Sequence, residues 1–228
     1  MKTLVFDTGP IISLTTNNLL WLLAPLKQKF GGKFAIPEIV KAELIDKPLI
    51  TKKFKFEALQ VAEQIKSGIL EVISAEKIRA EGELLEQLAN NTFIAGDTPM
   101  QIIHGGEAEG IAAAIMLESV LAIDERITRL LIENPSFLAR LLAKRLHTKI
   151  KTNQENLKQF QLKTKGLQMI RSSELVTVAY EMGMLDKYVT DMPDAKRALV
   201  ESVLWGVKLH GCAISEDEIN EILKIEKL

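Results

Sequence analysis

Short apolar runs rich in β-branched residues alternate along this chain with longer stretches of helical period. The runs 3–7 (TLVFD), 34–36 (FAI), 69–73 (ILEVI), 120–124 (VLAID) and 167–172 (LQMIRS) predict strands. The stretches 11–29, 38–46, 55–67, 79–92, 106–118 and 135–164 predict helices. This order is that of parallel strands joined by right-handed crossovers, with helices on both sheet faces, so the expected class is three-layer α/β/α. Local signals agree: Pro37 suits the first turn of a helix, Gly68 a helix end, Asn134-Pro135 a cap and start, and Gly166 a stop. Helical spacing returns over 191–210, and Ser215 with Glu218 forms a capping box for a last helix. Only 90–106 loses all periodicity and reads as a linker.

In an open α/β sheet the ligand crevice lies beyond the carboxyl ends of the strands, so acids there carry the most interest. Asp7 ends the first strand, before Thr8-Gly9-Pro10, which reads as a turn that lets the next helix leave without covering the acid. Asp124 ends VLAID. Glu43, in IPEIVKAELID, falls at the border of a helix's packed face, and Glu109, with Glu107 just before it, opens a helix of small residues. Each has a plain structural reading beside the functional one. A strand-end Asp caps the following helix, Glu43 is a surface glutamate, and Glu107 and Glu109 benefit from a helix N-terminus.

Composition narrows the chemistry. The 228 residues, 47% of them hydrophobic, suffice for one substantial core. Cys212 is the only cysteine and there are three histidines, which excludes an internal disulfide and a cysteine-rich zinc site and leaves oxygen donors for any metal. Four acids at one sheet edge would repel one another unless a divalent cation joined them. Hard oxygen ligands suit Mg²⁺ or Mn²⁺, with a metal-activated water as nucleophile on a phosphodiester. No GxxxxGKS loop follows a strand, HGGEAEG lacks GxGxxG spacing, and Gly9 stands where an aspartyl phosphatase needs a second Asp.

Charge adds a second feature. The formal net charge is −1, yet Arg140 to Lys165 holds eight Lys and Arg against Glu155 alone, so that segment carries +7 and the rest −8. This is a candidate polyanion-binding element, or simply the solvated face of a long helix. The apolar run at the start is too short for a signal peptide or membrane span, and a cytoplasmic location without membrane contact is expected.

Taken together, VFDTGPIISL, IPEIVKAELID, GGEAEGIAAA and LAIDERITRLL, in this order, resemble the PIN-domain family, most closely its small stand-alone prokaryotic, archaeal-like members. The resemblance implies a five-stranded parallel sheet of order 3-2-1-4-5 and a metal-dependent ribonuclease site. By position it implies Asp7, Glu43, Glu109 and Asp124 as catalytic metal ligands, with Thr8, Glu107 and Glu125 in secondary roles and Glu107 as the rival for the third place. Residues 1–175 would form the nuclease domain, with 176–228 as helices packed on it. The stretch 134–166 departs from the family pattern as a basic helical insertion, in which Lys144, Arg145, Lys149 and Lys151 would track RNA phosphates, or serve a homodimer or partner contact. A toxin paired with an antitoxin, an RNA-processing enzyme, and a non-catalytic RNA- or protein-binding module all fit the resemblance. His104 reads either as a phosphate or proton contact or as a structural loop residue.

Overall fold

The computed structural model describes residues 2–228. In chain order the elements begin β1 (Thr3–Phe6), α1 (Thr8–Thr16), a 3₁₀ turn (Leu20–Leu22), α2 (Leu23–Phe30) and β2 (Lys33–Pro37). A helix then runs from Glu38 to Ile50 in three parts: α3 (Glu38–Lys41), a π turn (Ala42–Asp46) and α4 (Lys47–Ile50). It is followed by α5 (Lys55–Lys66), β3 (Glu71–Ile73), α6 (Glu76–Asn90), β4 (Phe93–Ala95), β5 (Thr98–Pro99), α7 (Gly105–Met116) and β6 (Val120–Ala122). The remainder comprises α8 (Arg126–Glu133), α9 (Pro135–Leu146), β7 (Ile150–Thr152), α10 (Gln154–Lys163), β8 (Gln168–Ile170), α11 (Ser172–Glu181), a 3₁₀ turn (Asp186–Tyr188), α12 (Ala195–Leu209) and α13 (Glu216–Ile225).

Five strands form one parallel sheet in the order β3-β2-β1-β6-β8. Counting only these strands, the order is 3-2-1-4-5, as the resemblance to the PIN-domain family implies. β1 is central, with Leu4 level with Phe34 of β2 on one side and Val120 of β6 on the other. Its alternation divides the core, because successive side chains of a strand point to opposite faces. Leu4 and Phe6 enter the apolar layer built with α1, α2, α5, α11, α12 and α13, while Val5 enters the layer under α6, α7, α8 and α9. Ala112, Ala113 and Ala114 of α7 are fully buried, and their small size brings that helix backbone close to the sheet. Among the described residues no helix is long and apolar enough to cross a membrane.

Three local expectations change. The stretch 11–29 is not one helix: α1 stops at Asn17-Asn18, where Asn18 takes a left-handed φ of 56°, and the chain resumes through the 3₁₀ turn. Thr8-Gly9-Pro10 is the first turn of α1 rather than a turn preceding it, and Pro10 falls where a helix has no use for its N–H. The stretch 135–164 is two helices flanking β7, since His147 ends α9 in a left-handed conformation and β-branched Ile150 and Thr152 favour a strand. That strand gives the supposed linker 90–106 its structure. β7 pairs antiparallel with β4, and β4 with β5 across the Gly96-Asp97 turn, making a second, three-stranded sheet.

Candidate functional site

Asp7 follows β1 and caps α1, its Oδ2 accepting the Gly9 N–H at 3.3 Å. The acid is only 5% exposed. Burial, with Glu107 and then Glu43 nearby, pushes its carboxyl from 3.8 up to about 7, against the opposing pull of the Thr8 and Gly9 amides. Thr8 reaches across to the π turn and donates its hydroxyl to Glu43 Oε2 at 2.7 Å. The other oxygen of Glu43 lies 3.6 Å from Lys47 Nζ, one turn further on.

Glu43 owes its position to two local features. The π turn inserts an irregularity into the helix after β2, a device that redirects a side chain at little cost in length. The second is Gly106, in the first turn of α7, where any Cβ would stand 2.8 Å from Glu43 Oε2. Glycine there lets the carboxylate approach the amide end of the helix, which favours negative charge.

Glu107 lies on the same turn of α7, and its Oε2 accepts the His104 N–H at 2.7 Å. Burial, then Glu125 and Glu43, raises its carboxyl to about 7, the His104 amide pulling the other way. Thr128 is buried beside it with a hydroxyl that falls short of hydrogen-bond geometry and has no other partner. Glu125 caps α8, its Oε1 accepting from the Ile127 N–H at 3.1 Å. Asp7, Glu43 and Glu107 thus converge, with Glu125 beside Glu107.

Glu109 is not among them. Two residues along an α-helix are about 200° apart around its axis, so Glu107 and Glu109 cannot face the same way. Glu109 packs against α6, where a Cβ on Gly82 would meet its Cγ at 2.9 Å, and lines a separate groove with Glu38, Arg79, Glu83 and Glu86. Burial also raises its carboxyl, while Arg79 opposes the effect.

Asp124 is close in space but differently employed. A Cβ on Gly9 would be 3.2 Å from Asp124 Cβ and 3.6 Å from Asp7 Oδ2, so the two aspartates flank this glycine. Asp124 is 2% exposed, and its carboxylate accepts the Ser172 N–H at 2.7 Å, the Ser172 hydroxyl at 2.7 Å and the Ser13 hydroxyl at 2.8 Å. Its own carbonyl accepts the Ala213 N–H. These bonds tie β6 to α1, to the N-terminus of α11 and to the approach to α13. Sequence reasoning missed Ser13 and Ser172, which carry no motif, and the role of Glu125 as the cap of α8.

The basic segment splits. Lys144 and Arg145 close α9 and stand exposed, Lys149 lies just beyond, and Lys151 on β7 is 3.6 Å from Asp97. His104 hydrogen-bonds Gln101 through Nδ1 at 3.0 Å and holds Glu107 by its backbone.

The donors around Asp7 are oxygens only, with negative charge in excess and the buried Thr128 hydroxyl unsatisfied beside Glu107. That chemistry fits a hard divalent cation. Among the described residues, no three His, Cys, Asp or Glu side chains stand close enough to hold one without moving.

Comparison with known proteins gives a family match and nothing finer. No curated protein and no solved structure matches the chain. The model of a family described as a PIN domain matches residues 3–136, more than half the chain and the part that contributes Asp7, Glu43, Glu107, Asp124 and Glu125. With the matching sheet order, the chain belongs to the PIN-domain family, a family of nuclease type.

Proposed function

We propose that this chain is a metal-dependent endoribonuclease, with Asp7, Glu43 and Glu107 holding Mg²⁺ or Mn²⁺ and Glu125 completing the acidic set. The observation that supports it most is the state of Asp7 and Glu107: two carboxyls raised to about 7 by burial and by neighbouring acids, with no cationic side chain bonded to either. A structural role leaves such strain unexplained, whereas a cation would relieve it. When bound, the cation would supply neutralising charge and a more acidic water for attack on phosphorus.

The chain's own residues have distinct tasks in this reading. The Gly9 and His104 amides orient Asp7 Oδ2 and Glu107 Oε2, leaving the second oxygen of each carboxylate for the cation. Thr8 fixes the rotamer of Glu43. Asp124 acts as a buried anchor that aims Glu125 and α8, and Glu109 stands outside the set. Residues 1–175 carry the nuclease fold, 176–228 support it, and Lys144, Arg145 and Lys149 offer phosphate contacts.

The test is cleavage of a mixed-sequence single-stranded RNA with Mn²⁺, Mg²⁺ or EDTA by wild type, Asp7→Asn and Glu107→Gln. Metal-dependent cutting lost in both variants supports the proposal. Cutting that persists in EDTA or in both variants, or no cutting with either metal, rejects it.

A further inference from the structure

The segment Lys47–Phe56, KPLITKKFKF, contains four lysines, no acid and two exposed phenylalanines. It begins in the helix that carries Glu43, and Lys47 touches that carboxylate. Phe56 is 69% exposed and Phe54 is 41% exposed, unusual for rings that normally supply core. Phe54 holds a left-handed φ of 63°, which a bulky side chain adopts only where its surroundings enforce it. Its carbonyl accepts the Ala58 N–H, so the first turn of α5 enforces it here, and Lys53 Nζ sits 4.6 Å from the ring. Beyond Phe56 an open groove of about 400 Å³ runs between Trp21, Leu59 and Phe56.

We propose that this arm is a single-strand RNA platform: Phe54 and Phe56 stack bases while Lys52, Lys53 and Lys55 hold the phosphates of a strand leading into the acidic centre. The inference rests on the ribonuclease reading of that centre. Flat aromatic faces interleaved with cations suit an unpaired polyanion, since every base has a stackable face and every phosphate a charge. Asp46 and Glu57 flank the stretch and Glu63 lines the groove at Phe56, but within Lys47–Phe56 no acid offsets the four lysines, a local excess of positive charge that favours a polyanion over a protein of mixed charge. The arm begins one turn after Glu43 in the same helix, with Lys47 3.6 Å from that carboxylate, whereas the Lys144–Lys151 cations lie on a different sheet and helix.

The test is fluorescence anisotropy of a short labelled oligouridylate in EDTA, where no cutting occurs. Phe56→Ala is expected to weaken binding about fivefold or more, and Phe56→Trp to restore it. The triple variant Lys52→Gln, Lys53→Gln, Lys55→Gln is expected to flatten the dependence of log K on log salt by about two. Unchanged melting curves exclude misfolding. If wild type fails to bind, if these variants bind as wild type does, or if Phe56→Ala alters self-association and not RNA affinity, the proposal is overturned. Binding lost in the variants while wild type never cuts RNA with metal would leave the platform standing and remove the nuclease reading.

Discussion

Thr8 and Glu43, thirty-five residues apart, meet through a 2.7 Å hydrogen bond in which the Thr8 hydroxyl donates to Glu43 Oε2. The bond joins the first turn of α1 to the π turn after β2. Thr8→Val keeps the volume and removes the donor, so Glu43 is free to swing towards Lys47. The expected result is a loss of about tenfold in metal-dependent cleavage, about 1.4 kcal/mol, with little change in Tm. Thr8→Ser should recover most of it.

The raised carboxyls make stability fall as pH rises. A folded-state value of about 7 against an ordinary 3.8 means that between these limits the folded protein binds more protons than the unfolded chain. The burial of Asp7, with Glu107 beside it, therefore weighs against the folded state once pH rises above 7. In EDTA, Tm should drop as pH rises from 4 to 7, and Asp7→Asn should raise Tm at pH 8 while leaving it unchanged at pH 4. Mn²⁺ should restore the loss at pH 8 in wild type and not in the variant. A flat Tm across this range would contradict the strain assigned to the site.

Glu107 and Glu109 differ by two residues and should differ sharply in effect. Glu107→Gln should abolish the Mn²⁺-induced rise in Tm, and Glu109→Gln should preserve it. Differential scanning fluorimetry with and without Mn²⁺ distinguishes them, and the reverse result would assign the α6 groove as the metal centre.

Asp124 and Glu125 should separate in the same way. Asp124→Ala leaves the buried Ser172 amide without its partner and should lower stability by about 3 kcal/mol, roughly 10 °C in Tm for a chain of this size. Glu125→Gln should reduce cleavage while leaving Tm near wild type. Thermal melts of the two variants, paired with cleavage assays, decide the matter.

Acid should loosen the C-terminal helices. Against desolvation, the Ser215 N–H, donating to Glu218 at 2.8 Å, and Arg171, donating at 2.7 Å, hold the Glu218 carboxyl down at about 2. A lowered carboxyl stabilises above its unfolded value near 4.5, and the contribution is lost as pH falls towards 2. Glu218 is partly exposed, so the effect is modest. Glu218→Gln should lower Tm at pH 6 by a few degrees and by less at pH 3.

The sheet was legible because its strands are short apolar runs between strongly periodic helices, and period alone separates them. β4, β5 and β7 were not, because strands of two or three residues are too short to show a period, and the β4–β5 hairpin is completed by β7, more than fifty residues further on. The positions of Asp7 at a strand end and Glu43 at a helix border were legible, and the fold brings the two near each other. Glu107 and Glu109 point to different sides of α7, an angle that the run of small residues after Glu109 does not reveal. Asp124 illustrates a different limit: a strand-end carboxylate facing a site and one facing inward look alike until the donors, here Ser13 and Ser172, come from elsewhere in the fold.

Those donors also bear on modularity. The family match ends at residue 136, yet the strand that borders β6 and two of the three hydrogen bonds to the Asp124 carboxylate come from residues 168–172. A chain cut at the match boundary would bare the β6 edge and leave the Asp124 side chain without two of its three donors beside the site. The second half is therefore mechanically joined to the first: β8 and α11 are tied, through one strand edge and one carboxylate, to the residue next to Glu125.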